Sequence, residues 1–415
     1  MKTKITLTLA ILCLPLVMMG QENIFGGPAL RSPEVGADGR VTFRLQANAE
    51  SHVQVAGDFL PVTKIETPFG LMDGQAPADM TLEDGVWTFT TSEALAPELY
   101  SYYFTVDGTR VLDPSNVCTV RDGSSYTNTF AIRKADGDRG DLYTTGAVPH
   151  GTVSRVWYPS PTLGTTRRLT VYTPAGYEES DSTYPVLYLL HGAGGDENAW
   201  TTLGCAAQIM DHLIAGGQAK PMIVVMPNGN AGDTAAADLS ADTSVDTSAD
   251  TSVHGADSPD LDQSVARMVE SFPDLMAFVE GRYRVEPGKA GRAIAGLSMG
   301  GGLAFDISRT YPDRFDYVGL LSPAIFLGGH RPEDLQGERR GETDEVMASL
   351  RTQFGQAPRL YWMAIGTGDF LYQADMRFLD MMRSHAYPVE YMETDGGHTW
   401  RNWRHYLTIL APMLF

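Results

Sequence analysis

The sequence predicts an α/β domain with a doubly wound sheet, preceded by an all-β, immunoglobulin-like sandwich domain. Two patterns in the 415 residues carry this prediction. Short segments that alternate apolar and polar residues occupy the first third of the chain, as in antiparallel strands with one buried face. Continuous apolar segments separated by helical stretches fill the rest, as in parallel strands that are buried on both faces.

The first region, residues 29–135, shows strand signals only. Alternating segments lie at 41–48, 52–59, 85–92 and 99–108, and Asp-Gly and Asp-Pro turns separate them. Short strands with these turns predict a β-sandwich of about one hundred residues. A polar stretch then predicts a linker over 136–147.

The second region, residues 148–415, predicts the α/β domain. Apolar runs at 184–192, 221–229, 292–298, 317–323 and 359–366 indicate parallel strands, with helical stretches at 199–216, 264–283 and 300–311. The pair 151–158 and 167–174 would add antiparallel edge strands. A repeat of Asp, Thr and Ser within 231–260 is too polar to pack, and it predicts a disordered acidic insertion that is solvated rather than a lid.

Composition limits the partners. The net charge of −20 argues against nucleic acid and against an anionic membrane surface, but it allows neutral polysaccharides. Residues 1–20 combine lysines with a short apolar run, which predicts a signal peptide and a secreted or periplasmic protein without a membrane span. Leu12 before Cys13 argues against a lipid anchor, because a small residue is expected there. Cys118 and Cys205 are expected to be buried free thiols, with a bridge as the alternative.

The segment Gly296-Leu297-Ser298-Met299-Gly300 follows a predicted buried strand and precedes a predicted helix. In this context a G-x-S-x-G pattern indicates a nucleophile on a strained strand-to-helix turn. Side chains at the two glycine positions would clash, and the free N–H groups of the helix would point toward the hydroxyl. The pattern therefore predicts Ser298 as a nucleophile rather than a chance serine in a glycine-rich turn.

A serine needs a base, and the expected chain order is serine, acid, histidine. His398 follows a late strand signal and precedes the final helix, so it is the predicted base. Asp369 directly follows the strand at 359–366 and is the predicted acid, which would hold the imidazole tautomer. Asp375, Asp380 and Asp395 are the other candidates for the acid.

The tetrahedral intermediate needs backbone donors for its oxyanion. One donor should be the N–H of Met299, the residue after the nucleophile. The other should come from the loop His191-Gly192-Ala193-Gly194-Gly195, where small residues allow amides to approach, and we favour the N–H of Ala193. No metal or organic cofactor is needed for this chemistry, and Cys and His residues show no zinc-site spacing.

The segments YPVLYLLHGAGGDENAW, PMIVVMPNGNA, GLSMGGG and GGHTWRNWRHYL together resemble the esterase D-like branch of the α/β-hydrolases. The sequence is most similar to carbohydrate esterase family 1, which includes feruloyl and acetyl xylan esterases. The resemblance covers about 148–415 and implies the same nucleophile, acid, base and oxyanion donors. The region 29–135 resembles early-set sandwich domains related to family 48 carbohydrate-binding modules, which implies either glycan binding or a packing and orienting role.

The resemblance implies a secreted serine esterase for hydroxycinnamoyl esters, such as feruloyl esters, of plant cell-wall arabinoxylan. Trp200, Tyr372 and Trp400 are hypothetical contacts for the aromatic acyl group, because they follow site motifs, and each is equally consistent with a scaffold role. An acetyl xylan esterase or a siderophore esterase is the first alternative, and an acyltransferase is also open. A non-catalytic glycan-binding protein is the alternative from another class.

Overall fold

The computed structural model describes residues 30–67, 70–236, 259–325 and 340–415. The predicted signal peptide and most of the predicted acidic insertion lie outside the described residues. Within the described ranges, no helix has the combination of length and apolar character that crossing a bilayer requires.

The first region is built from short strands. They are β1 Glu34–Val35, β2 Val41–Leu45, β3 Val53–Gly57, β4 Val62–Thr67, β5 Gly70–Gln75, β6 Ala78–Asp79, β7 Thr81–Glu83, β8 Val86–Thr90, β9 Glu98–Val106, β10 Thr109–Val111, β11 Thr119–Asp122 and β12 Ser125–Ile132. Among the described residues, one sheet has the order β1-β2-β8-β7 and another the order β11-β12-β9-β3-β6, with β10 beside β9. Strands β4 and β5 form a separate hairpin.

Alternation along these strands builds a shared core between the two sheets. Val41 and Phe43 of β2 are buried together with Val53 of β3 and Tyr102 and Phe104 of β9, and they form one apolar cluster. Alternate residues of a strand point to opposite faces, so a segment with every second residue apolar buries one face. The predicted sandwich is confirmed.

The segment predicted as a linker is packed. Helix α1, Arg139–Leu142, begins after Asp138, whose carboxylate accepts a hydrogen bond from the Asp141 backbone N–H. Tyr143 is 2% exposed and joins the core of the second region. The polar residues thus form a capped turn that holds this tyrosine in place. The residue limits of the two domains stay predictions.

The second region carries an eight-stranded sheet within the described residues. Its strands are β13 Thr152–Ser160, β14 Thr165–Thr173, β15 Val186–Leu190, β16 Ile223–Pro227, β17 Arg292–Leu297, β18 Tyr317–Leu321, β19 Leu360–Gly366 and β20 Glu390–Thr394, in the order β13-β14-β16-β15-β17-β18-β19-β20. Strand β14 pairs antiparallel with β13 and β16, and the pairs from β16 to β20 are parallel. The α/β fold and its antiparallel edge pair are confirmed.

Helices cover the sheet. They are α2 Ala199–Thr202, α3 Ala206–Ala215, α4 Pro259–Arg282, α5 Met299–Thr310, α6 Arg340–Gly355, α7 Tyr372–Ser384 and α8 Trp400–Leu410, with short 3₁₀ turns at Lys289–Gly291 and Ala411–Met413. The helical stretch predicted over 199–216 is interrupted because Cys205 has a left-handed backbone, with φ of 49°. Both described cysteines are free, but only Cys205 is buried, so the prediction of a buried thiol is wrong for the exposed Cys118.

The order of the strands brings the His191–Gly195 segment and Ser298 to the same place at the edge of the sheet. Strand β15 has β16 on one side and β17 on the other, so the chain moves from β15 to β16 in one direction and then crosses back over β15 to β17. Ligands bind outside the carboxyl ends of strands at such a switch point. The His191–Gly195 segment follows β15 and Ser298 follows β17, so both lie at this switch point.

Candidate active site

Ser298 is the single residue between β17 and α5, and it forms a strained turn. Its backbone has φ of 53° and ψ of −120°, a conformation that residues other than glycine rarely adopt. Two backbone hydrogen bonds stabilise this conformation. The Ser298 N–H donates to Leu321 O at 3.0 Å, and the Ala324 N–H donates to Ser298 O at 2.9 Å. The surrounding strands therefore hold the hydroxyl in a fixed position above the sheet.

The two glycines of the G-x-S-x-G segment allow close backbone contact. A Cβ built at Gly296 would lie 2.2 Å from the carbonyl oxygen of Gly300, and one built at Gly300 would lie 2.4 Å from the carbonyl oxygen of His191. Neither distance is compatible with a real side chain. These contacts explain why both positions carry glycine and bring the loop after β15 against the start of α5.

Replacing Gly296 by alanine is expected to lower the free energy of unfolding by about 2 kcal/mol, because backbone atoms must move to admit the methyl group. Urea denaturation measures this change. The matched control is Gly281→Ala in α4, where an added Cβ meets no atom within 4 Å and the helix gains from alanine. Equal stability of Gly296→Ala and the unaltered protein would show that the turn is not as tight as described.

His398 connects Ser298 to Asp369 by hydrogen bonds. The Ser298 hydroxyl lies 2.9 Å from His398 Nε2, and His398 Nδ1 lies 2.9 Å and 3.0 Å from the two carboxylate oxygens of Asp369. The Asp369 side chain is fully buried, and its Oδ1 also accepts from the Leu371 N–H at 2.9 Å. The structure thus brings together the three residues predicted from their chain order.

Two aromatic rings hold the imidazole in place. The Trp403 ring meets His398 edge-on at a centroid distance of 4.8 Å, and the Phe370 ring lies 4.5 Å from it. Trp403 is buried, and its indole N–H donates to Ser322 Oγ at 3.3 Å. These ring contacts and the hydrogen bonds to Asp369 favour the orientation of the imidazole that faces Ser298.

A second carboxyl lies beside the acid. Asp375 of α7 is fully buried, and neither of its carboxyl oxygens has a hydrogen-bond partner among the described residues. Burial, and then the nearby charge of Asp369, raise the pKa of Asp375 well above its usual value. Asp375 makes none of the hydrogen bonds that join His398 to Asp369, so the carboxylate that faces the imidazole is that of Asp369.

The loop after β15 borders Ser298 on the other side. A Cβ built at Gly192 would lie 3.2 Å from the Cβ of Ser298. Ala193 is the exposed neighbour of Gly192, and Met299 is the first residue of α5, where a backbone N–H has no intrahelical acceptor. Both predicted oxyanion donors thus belong to segments that flank the hydroxyl.

His191 organises this loop as a neutral side chain. Its Nδ1 donates to the Gly192 carbonyl at 2.7 Å, and its Nε2 accepts from the Gly229 N–H at 2.7 Å. Burial lowers the pKa of His191, which keeps the ring uncharged. Because both ring nitrogens are occupied, His191 is a structural residue and not a competing base.

The three predicted substrate contacts have different surroundings. Trp200 is 1% exposed, its indole N–H donates to Leu190 O at 2.9 Å, and its ring supports Trp400 edge-on. The prediction that Trp200 contacts the substrate is wrong, because a buried ring cannot stack on a ligand. Tyr372 is half-buried and donates to Glu393 at 2.6 Å, whereas Trp400 is half-buried and follows His398 by two residues.

Sequence reasoning missed Phe370. This side chain is 49% exposed although it is apolar, and it lies against His398 at the mouth of the site. Its position directly after Asp369 was the available signal, since residues in the loop that supplies the acid border the same cleft. Among the described residues, no group of three or more histidine, cysteine or acidic side chains has the arrangement of a metal site.

Comparison with known proteins identifies the family. Residues 160–412 match the Esterase family model, described as "Putative esterase", which is more than half of the chain. The chain belongs to this esterase family. The match includes strands β14 to β20, the loop after β15 and the three hydrogen-bonded residues of the site.

Individual relatives of this esterase differ in the share of the chain that they match. A Xylanibacter ruminicola protein named endo-1,4-beta-xylanase/feruloyl esterase is 25% identical over 408 residues, which are 95% of this chain and 47% of that protein. The esterase therefore spans about half the length of that relative. A ferulic acid esterase from Anaeromyces mucronatus, solved with ferulic acid, has a TM-score of 0.53 at 21% identity and covers 68% of this chain and 98% of its own.

The fold similarity also extends beyond the esterase region. The enterobactin esterase of Shigella flexneri has a TM-score of 0.56 at 16% identity, over 90% of this chain and 92% of that one. At this identity the similarity concerns the fold alone. It shows that a β-sandwich before an α/β esterase domain is an arrangement that another solved esterase shares.

Proposed function

We propose that this chain is a secreted serine esterase that hydrolyses feruloyl and related hydroxycinnamoyl esters of plant cell-wall arabinoxylan. The observation that carries the proposal is the hydrogen-bonded series Ser298, His398 and Asp369 beside the helix α5 N-terminus. The predicted signal peptide supports secretion. The Xylanibacter relative, whose name combines a xylanase with a feruloyl esterase, supports the substrate class.

In the proposed mechanism, His398 Nε2 takes the hydroxyl proton as Ser298 Oγ attacks the ester carbonyl. The carbonyl oxygen becomes an oxyanion that the N–H groups of Met299 and Ala193 stabilise. His398 then gives this proton to the sugar oxygen as its bond to the carbonyl carbon breaks, so the sugar leaves as an alcohol and the acyl group stays on Ser298. A water molecule gives a proton to the same imidazole as it attacks the acyl-enzyme, and His398 returns that proton to Ser298 Oγ as the hydroxycinnamic acid leaves.

Asp369 has a supporting role in each proton transfer. Its carboxylate holds His398 Nδ1–H, so Nε2 faces Ser298 as an acceptor. When His398 becomes positively charged, the buried carboxylate stabilises that charge at short range and low dielectric. The proton stays on the imidazole, because the role of the carboxylate is to orient the ring and to stabilise the imidazolium.

The aromatic residues at the mouth support a phenolic acyl group. Phe370 offers an exposed ring next to His398, and Trp400 lies two residues beyond His398 in the chain. An aromatic ring gains about 0.5–1.5 kcal/mol from stacking beyond the area that it buries. A feruloyl group would use these rings, whereas an acetyl group would be too small to reach them.

Replacing Phe370 by alanine is expected to raise KM for methyl ferulate by roughly two- to tenfold, because the stacking energy is lost. KM for p-nitrophenyl acetate should stay unchanged, and steady-state kinetics with both esters measures the difference. Trp157→Ala is the matched control, because Trp157 is equally exposed, at 49%, but lies on β13 at the opposite end of the sheet. An equal effect on both esters would argue against stacking by Phe370.

The substrate class is tested with a panel of methyl ferulate, feruloylated arabinoxylan oligosaccharides, acetylated xylan and a cyclic catecholate ester. The proposal predicts fast release of ferulate from the first two. Fast release of acetate with inert ferulate would support an acetyl xylan esterase, and cleavage of the catecholate ester alone would support a siderophore esterase. Transfer of the acyl group to a sugar in preference to water would identify an acyltransferase.

A further inference from the structure

The hairpin of β11 and β12 brings the β-sandwich to the loop that carries the predicted oxyanion donor. Its strands pair up to Asp122 and Ser125, so Gly123 and Ser124 form the turn. A Cβ built at Gly194 would lie 3.3 Å from the Cα of Gly123, which places the turn directly against the loop after β15. Burial raises the pKa of the Asp122 carboxyl on the same hairpin, and the Trp400 side chain opposes this rise.

Arg121 connects this turn to the loop. Its Nη1 donates to the Gly123 carbonyl at 2.6 Å, and its Nη2 donates to the Asp196 carboxylate. The Asp196 side chain is 8% exposed, so its charge is largely removed from water. One guanidinium thus fixes both the hairpin turn and the end of the Gly192–Asp196 segment.

Asp196 in turn shapes the segment that carries Ala193. Its other oxygen accepts from the Asn198 N–H at 2.8 Å, and its carbonyl accepts from the Ala199 N–H at 3.0 Å. The segment between Gly192 and Asp196 is otherwise mostly exposed, and Gly194 has a positive φ of 73°. A short, glycine-rich segment of this kind needs an external anchor to hold a backbone N–H in one orientation.

We propose that Arg121 of the β-sandwich is a positioning residue for the oxyanion loop of the esterase domain. The inference rests on the proposed function, and it makes the β-sandwich part of the catalytic unit. Removing Arg121 leaves the buried Asp196 carboxylate without its counter-charge, so the loop would shift and the Ala193 N–H would lose its alignment.

A separate contact holds the two regions together. Arg404 of α8 is 1% exposed and donates to Glu98 Oε1 at 3.1 Å, to Leu99 O at 2.7 Å and to Leu203 O at 2.9 Å. Glu98 and Leu99 belong to β9 of the sandwich, so this buried pair crosses between the regions. Loss of Arg121 should therefore change the loop while the regions stay docked.

The test compares Arg121→Met with the unaltered full chain, using methyl ferulate and p-nitrophenyl acetate. We expect kcat to fall by about ten- to a hundredfold for both esters, with KM nearly unchanged, because a misaligned donor affects the transition state more than the bound ester. Arg121→Lys should recover part of kcat, since a lysine can neutralise Asp196 but cannot also reach Gly123. If Arg121→Met does not fold, Arg121→Lys serves as the test instead. A folded Arg121→Lys protein with a reduced kcat and an unchanged KM would then support the proposal.

Arg133→Met is the matched control. Arg133 forms a similar ion pair with the mostly buried Asp141 of α1, away from the oxyanion loop. An unchanged kcat in Arg121→Met, or an equal fall in kcat and in melting temperature in both variants, would overturn the proposal. If the unaltered chain cleaves no ester of the panel, the proposed function fails; if it does and Arg121→Met matches it, only the role of Arg121 fails.

Discussion

Replacing Ser298 by alanine is expected to lower kcat/KM for methyl ferulate by roughly 10⁴- to 10⁶-fold, because the acyl-enzyme can no longer form. The residual rate would come from ester binding and from the oxyanion donors, which the substitution leaves in place. The hydroxyl makes its hydrogen bond only to His398 Nε2 in the described contacts, so its loss should disturb little else. Initial rates at several ester concentrations measure the effect.

Stability provides the control for this variant. Alanine keeps the Cβ and the strained backbone of Ser298, so the melting temperature should stay close to that of the unaltered protein. Ser298→Gly should be inactive as well, but it should melt higher, because glycine adopts a φ of 53° without strain. Retained turnover in a folded Ser298→Ala protein would refute the assignment of the nucleophile.

Replacing Asp369 by asparagine is expected to lower kcat by about four orders of magnitude. The amide can donate a hydrogen bond to His398 Nδ1, which favours the tautomer that has its proton on Nε2. That tautomer cannot accept the proton of Ser298, although every distance at the site stays nearly the same. The pH dependence of kcat, measured with p-nitrophenyl acetate, separates this effect from general damage.

Asp375 is the matched control for the acid. It is also a buried aspartate in the same part of the chain, but its carboxyl oxygens have no hydrogen-bond partner among the described residues, and burial, followed by the charge of Asp369, raises its pKa. An asparagine has nearly the shape of a protonated aspartic acid, so Asp375→Asn should retain kcat close to that of the unaltered protein. A large loss in Asp375→Asn together with a small loss in Asp369→Asn would reverse the assignment of the acid.

The elements with the strongest periodic patterns were predictable from the sequence. Strand β17 and the turn at Ser298 follow from a buried apolar run that ends in the G-x-S-x-G glycines. Strand β9 follows from a segment that nearly alternates apolar and polar residues. The short helix α1 was read as a linker because its residues are polar, and polarity says nothing about a cap such as Asp138. The break before α3 depends on the left-handed backbone of Cys205, which no pattern of side chains indicates.

Some residues of the candidate site could likewise be predicted from the sequence, and others could not. Ser298, Asp369 and His398 were predictable because chain order and strand ends restrict where such groups can lie. Trp200 was predicted wrongly because proximity to a motif does not tell which side of the loop a ring occupies, and its N–H is used by Leu190. The contact between Arg121 and Asp196 joins residues 75 positions apart in two regions of the fold, so no local sequence pattern could predict it.

If His398 makes the hydroxyl of Ser298 reactive, an electrophilic probe should modify this serine alone. The purified full chain is incubated with a fluorophosphonate, and peptide mass spectrometry locates the adduct. We expect a single adduct on Ser298 in the unaltered protein, none in Ser298→Ala, and strongly slowed labelling when His398 is replaced by alanine. An adduct on another residue, or equal labelling without His398, would show that His398 does not activate Ser298.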